Sequence, residues 1–162
     1  MFLTCRNYLI EKVQAVLGPG AIVHTAQNTL EASADPHVGA VLAVSDSYSK
    51  NGSGKVYGET GSRRRLRRHY DRQVTFQAVL GDYTAEGCEA MYGAFLTSLE
   101  DQIKVDDVPV PVTVTEADWV DKDDSKLRSA LAVQALIRFD GGVFKSTAFA
   151  AITEAEARTE RK

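Results

Sequence analysis

Between Thr84 and Ile103 the residues Cys88, Met91, Tyr92, Phe95, Leu96, Leu99 and Ile103 recur at helical spacing and make one apolar stripe. A helix with a single apolar face is stable only when that face is buried against a second layer. The residues just before it supply that layer. Over 69–81 the period changes to two, with Val74, Phe76, Ala78 and Leu80 on one side and Thr75, Gln77 and Val79 on the other. Thr84 stands at the N-cap position with Glu86 in the first turn. A strand that runs straight into an amphipathic helix predicts a sheet with helical cover.

The rest of the chain fits that frame. Cys5, Leu9, Val13 and Val16 or Leu17 predict a helix over 3–17, stopped by Gly18-Pro19-Gly20. Short strands are predicted at 21–26 and 38–44, joined by a polar stretch ending in Asp35-Pro36. Val110, Val112 and Val114 alternate with polar partners. Pro109 and Pro111 cannot donate to a ladder, which places the start of that strand at an edge. Residues 130–139 and 143–152 read as a hairpin about an Asp140-Gly141-Gly142 turn. The predicted order is α-β-β-β-α-β-β-β, an α+β fold with a mainly antiparallel sheet packed against two helices. One domain spans 1–152, and 153–162 is a charged tail.

Residues 45–62 differ in texture. SDSYSKNGSGKVYGETGS is rich in Gly and Ser and has few apolar anchors. Such a segment buries too little surface to offset its ordering entropy, so it reads as a flexible projecting loop. Asn51-Gly52 leaves open a second form, the tip of a long hairpin.

Catalytic and metal motifs are not found. His24, His37 and His69 are scattered without ligand spacing, and there is no CxxC, HExxH or GxSxG. Gly52, Gly54 and Lys55 lack phosphate-loop spacing. The acidic stretch with Asp118, Asp121, Asp123 and Asp124 has neither the central Gly nor the closing Glu of a calcium loop, and reads as a solvated turn. Cys5 and Cys88 fall on apolar helix faces and read as buried thiols. The N-terminus lacks a signal-peptide pattern and no stretch approaches the length of a membrane span. No enzyme, cofactor or membrane role is expected.

The extreme local feature is Arg63, Arg64, Arg65, Arg67 and Arg68, five arginines in six residues, in a chain of net charge −3. Three readings compete: a solvated edge, contact with nucleic-acid phosphates, and ion pairs across a subunit interface. Asp106, Asp107, Asp118, Asp121, Asp123 and Asp124 are the candidate acidic partners. The two charge blocks read as lying on different loops, which suits a head-to-tail contact between copies, one basic edge meeting the next acidic edge.

The run RRRLRRHYDRQVTFQAVLGD followed by TAEGCEAMYGAFLTSL, set between an N-terminal helix and a β-rich C-terminal half, resembles the tail-terminator (tail-completion) and related neck proteins of long-tailed bacteriophages. The likeness is one of layout over about residues 1–150. It implies a homo-oligomer, a hexameric ring, assembled in the host cytoplasm onto the end of the tail tube and retained in the virion. The ring would stop tube growth and offer the surface that joins tail to head through neck and connector proteins. DNA would pass through its lumen without sequence-specific binding. The 45–62 loop, with Tyr48, Lys50, Lys55 and Tyr57, would dock on the tube or a neighbouring ring, and the arginines would face a subunit interface or the lumen. The alternatives are a head–tail connector or stopper, a nucleic-acid module using Arg63–Arg68, and a small enzyme with an unrecognised site.

Overall fold

The computed structural model describes residues 1–52, 54–57, 64–123 and 126–148. Helix α1 (Phe2–Leu17) is followed by β1 (Val23–His24), the short α2 (Gln27–Glu31), β2 (Val38–Lys50), β3 (Gly54–Tyr57) and β4 (Arg64–Asp82). Then come α3 (Ala85–Ser98), β5 (Gln102–Val105), β6 (Val108–Asp121) and β7 (Leu131–Ala148). The class is α+β. The sheet runs β1-β2-β4-β7-β6-β5, with β3 beside β4. Among the described residues only the β1–β2 pair is parallel; the other pairs are antiparallel. The element order departs from the expected one by the added α2, β3 and β5 and by the joining of the last two predicted strands into β7.

One face of the sheet carries the main core. Val74, Phe76 and Leu80 of β4 and Val133, Ile137 and Phe139 of β7 are buried with Cys5, Leu9 and Val13 of α1 and Cys88 and Phe95 of α3. These are the alternating and helical sets read from the sequence. Thr84 caps α3, accepting a hydrogen bond from the Gly87 amide at 3.0 Å. A smaller cluster, including Leu30, Ala40, Leu42 and Val79, covers part of the opposite face under α2. Helix α1 crosses β2 at Gly39, where a Cβ would overlap the Leu17 and Val13 side chains. Gly39→Ala should therefore lower unfolding free energy by about 1–2 kcal/mol through overpacking. An unchanged denaturation midpoint would mean α1 shifts freely on the sheet.

Four expectations are corrected. The helix predicted to Ile103 ends at Ser98; Ile103 lies in β5, because Asp106 and Asp107 both take positive φ (51° and 63°) and close a two-residue hairpin onto β6. The predicted Asp140-Gly141-Gly142 turn is the middle of β7, which pairs with β4 from Leu131 to Ala148. Gly141 serves close packing there: a Cβ would overlap the Met1 side chain. The predicted acidic loop is mostly strand, since Asp118 and Asp121 belong to β6. The predicted 45–62 loop is strand over 45–50 and 54–57. The long β4 offers a backbone partner to both β2 and β3, so ladder hydrogen bonds replace the missing apolar anchors. The long-hairpin form holds, since β2 and β3 follow one another antiparallel to β4; Asn51-Gly52 is the break between them rather than the tip, with the Asn51 amide donating to the His69 carbonyl at 2.8 Å. The 153–162 tail lies outside the described residues.

Candidate functional site

Beyond the core, β2, β4 and β7 continue as a three-stranded arm. The boundary is sharp. On β2 every residue from Val38 to Leu42 is buried and every residue from Ala43 to Lys50 is exposed. On β7 the last buried side chain is Phe139, with Met1 of α1 lying over Gly141. The arm lengthens because β4 extends to Arg64, not because a helix covers it.

Register fixes what each arm face carries. On the face continuous with the core, Tyr48 stands beside Arg72 and Gly141, the next row is Lys50, Tyr70 and Val143, and the next pairs Arg67 with Lys145. A bulge at His69 keeps Tyr70 and Arg67 on one face despite their odd spacing. Tyr48, Tyr70 and Val143 are 53%, 43% and 39% exposed. Large apolar groups on an uncovered sheet face are an interaction signal when they cluster.

The arm's acidic groups are already matched. Asp46 accepts two hydrogen bonds from Arg72, at 2.9 and 2.6 Å, and one from the Tyr48 hydroxyl at 3.1 Å. The Arg72 bonds hold the Asp46 carboxyl below the usual carboxylate range. Asp71 lies 2.7 Å from Arg68 Nε, a charge contact whose N–H is not aimed for a hydrogen bond. It also accepts from the Asn51 amide group. Asp140 pairs with Arg138 at 3.0 Å. Lys50, Arg67 and Lys145 form no ion pair among the described residues. Arg67 and Lys145 stand directly opposite, an arrangement unfavourable by itself and relieved by an anionic partner.

The predicted residues thus separate. Arg64, Arg65, Arg67 and Arg68 lie in β4 rather than in a loop edge; Arg63 is outside the described residues. Arg67 is exposed, whereas Arg68 is committed to Asp71, to the Gly141 carbonyl and to the Phe144 ring at 5.8 Å. Tyr48 and Lys50 lie on the core-side face of the arm, and Lys55 and Tyr57 are in β3. Asp106 and Asp107 form the β5–β6 turn, and Asp123 follows β6; Asp124 is outside the described residues. Among the described residues no ion pair joins the acidic set to Arg67 or Arg68, although Asp106 lines a concavity with Arg72 and Val143. Sequence reading missed Tyr70, Val143 and Lys145. Their signal was present as alternation, but the assumed turn at 140–142 broke the strand that carries two of them.

Among the described residues no three His, Cys, Asp or Glu side chains converge as metal ligands, and no helix is long and apolar enough to cross a membrane. Cys5 and Cys88 are buried, their thiols pushed up to about 11 chiefly by desolvation, so they stay protonated and unreactive near neutral pH. The arrangement can bind, through an aromatic and basic sheet face. No protein-family model and no curated protein matches the chain.

Proposed function

We propose that this chain is a structural assembly protein of a long-tailed bacteriophage, forming a ring on the end of the tail tube that ends tube growth and offers the head–tail joining surface. The observation that supports it is the arm: an extended three-stranded sheet that, among the described residues, has no helical cover and carries on its core-side face exposed aromatics beside three cations without an ion pair. Such a surface is wasteful in a solitary molecule and useful in one whose contacts form on assembly. The layout resemblance supplies the identity of the particle.

The test is the mass of the purified protein by light scattering, at low and high salt, with co-sedimentation on tail tubes. We expect a species near six times the 17.7 kDa chain mass, bound to tube ends. Because exposed charge is screened within about 8 Å at physiological salt, raising salt should shift assembly toward monomer about tenfold. A strict monomer that ignores tail tubes overturns the reading.

A further inference from the structure

The arm's basic face needs a counterpart, and the molecule carries one at its other end. Trp119 of β6 is 45% exposed. Its ring meets Tyr92 of α3 edge-on at 5.5 Å, and with Glu86 and Glu89 of α3 it lines a shallow groove. Asp121, two residues along β6, falls on the same sheet face. Glu86, Glu89 and Asp121 are exposed and form no ion pair among the described residues. The result is an aromatic anchor set among three carboxylates, the complement of three cations around Tyr48, Tyr70 and Val143.

The two patches cannot meet within one chain. Trp119 stands opposite Val133 of β7, whereas Tyr70 stands opposite Val143 of the same strand. Ten residues of extended strand separate them by roughly 33 Å, several Debye lengths at physiological salt. Both lie on the helix-bearing face of the sheet, at opposite ends. A contact between unlike patches on two identical chains is heterologous, and repeats of it close into a ring or run on as a filament.

We infer that the core-side face of the arm docks on the Trp119 patch of a second copy, with Lys50, Arg67 and Lys145 facing Glu86, Glu89 and Asp121. The apolar centres of both patches are removed from water, and the charges form the rim that fixes direction. A cation from the arm over the Trp119 indole adds to the contact. This rests on the assembly reading above and specifies which surfaces carry it.

The experiment uses two charge-reversed full-length chains. One carries Lys50→Glu, Arg67→Glu and Lys145→Glu; the other carries Glu89→Lys and Asp121→Lys, leaving Glu86 in place at the α3 N-terminus. All five positions are exposed, so unchanged unfolding midpoints are the folding control. Each variant alone should associate about 100-fold more weakly than the parent, because like charges then face each other. An equimolar mixture should regain the parent's assembly, since each arm then meets an edge of opposite sign. Trp119→Ala should weaken association without changing its salt dependence. An arm-reversed chain that assembles as the parent does overturns this contact and leaves the assembly reading standing. So does a mixture that stays apart, or an arm reversal that abolishes only retention of duplex DNA. A parent that is monomeric yet binds tail tubes removes the contact alone; one that does neither removes both.

Discussion

Replacing Phe139 by Ala should lower the free energy of unfolding by about 3–5 kcal/mol, a large share of the roughly 5–15 kcal/mol that holds a domain folded. Phe139 is fully buried on β7, between Val74 of β4 and Val112 of β6. Tyr8 meets its ring edge-on at 6.2 Å and Phe76 at 6.0 Å, and Phe76 in turn packs on Phe2 at 5.1 Å. Four rings thus tie α1 to the two central strands. Truncation leaves a cavity that these rings cannot fill without leaving their rotamers, and that adds a cavity term to the lost transfer energy. The site also stands at the root of the arm, in the last buried row before it. Denaturant titration of Phe139→Ala and Phe139→Leu would check this, with the Leu variant losing less than about 1.5 kcal/mol. Tyr48→Ala, farther out on the same face, should change stability by no more than about 0.5 kcal/mol. A Phe139→Ala loss below 1 kcal/mol would show that the core does not continue to the base of the arm.

The contrast between Phe139 and Tyr48 also shows what the sequence made legible. Core positions announce themselves through local period. The stripe Cys88, Met91, Phe95 and the alternation Val74, Phe76, Ala78, Leu80 are buried as read. Non-local pairing does not announce itself. Residues 45–50 and 54–57 have few apolar anchors, and nothing in them records that β4 is long enough to pair with both. Strand there is imposed by the ladder, against local propensity. Asp140-Gly141-Gly142 has turn composition, yet its glycine makes room for Met1, a residue 140 positions away. The Asp106-Asp107 hairpin was readable from two turn-forming residues between Val105 and Val108, but the helical stripe through Ile103 masked it. The arginine run marks β4, the strand that also carries Tyr70. Val143 and Lys145, which stand beside it, come from β7, a placement only register could show.

His37 carries the prediction with the clearest pH signature. Its Nδ1 lies 2.7 Å from Asp82 Oδ1 and its Nε2 3.0 Å from the Leu17 carbonyl, so both ring nitrogens face acceptors. Only the doubly protonated ring can donate to both. The ring ties the end of α1 to the end of β4, next to the start of α3. Tyr83 stacks on it at 6.0 Å and donates to Asp35 at 2.8 Å, and Asp35 accepts from the His37 amide. The bond to the Leu17 carbonyl, and then that to Asp82, hold the imidazole above its ordinary value. A raised pKa means that the folded state binds the proton more tightly than the unfolded chain. The stabilisation is therefore complete below about pH 6.5, the unfolded value, and is lost as pH rises through the folded value. His37→Gln keeps one donating nitrogen, which cannot face both acceptors as the two ring nitrogens do, and carries no charge. At pH 6 it should be less stable than the parent by about 2 kcal/mol, and the gap should narrow steadily toward pH 8. Measurements stop there because Cys5 and Cys88, raised to about 11, oppose folding once free thiols begin to ionise near 9. Denaturant midpoints at intervals between pH 5.5 and 8 would give the two curves. Parallel curves would mean that His37 packs as a neutral ring and that the clamp on Asp82 and Leu17 does not form in solution.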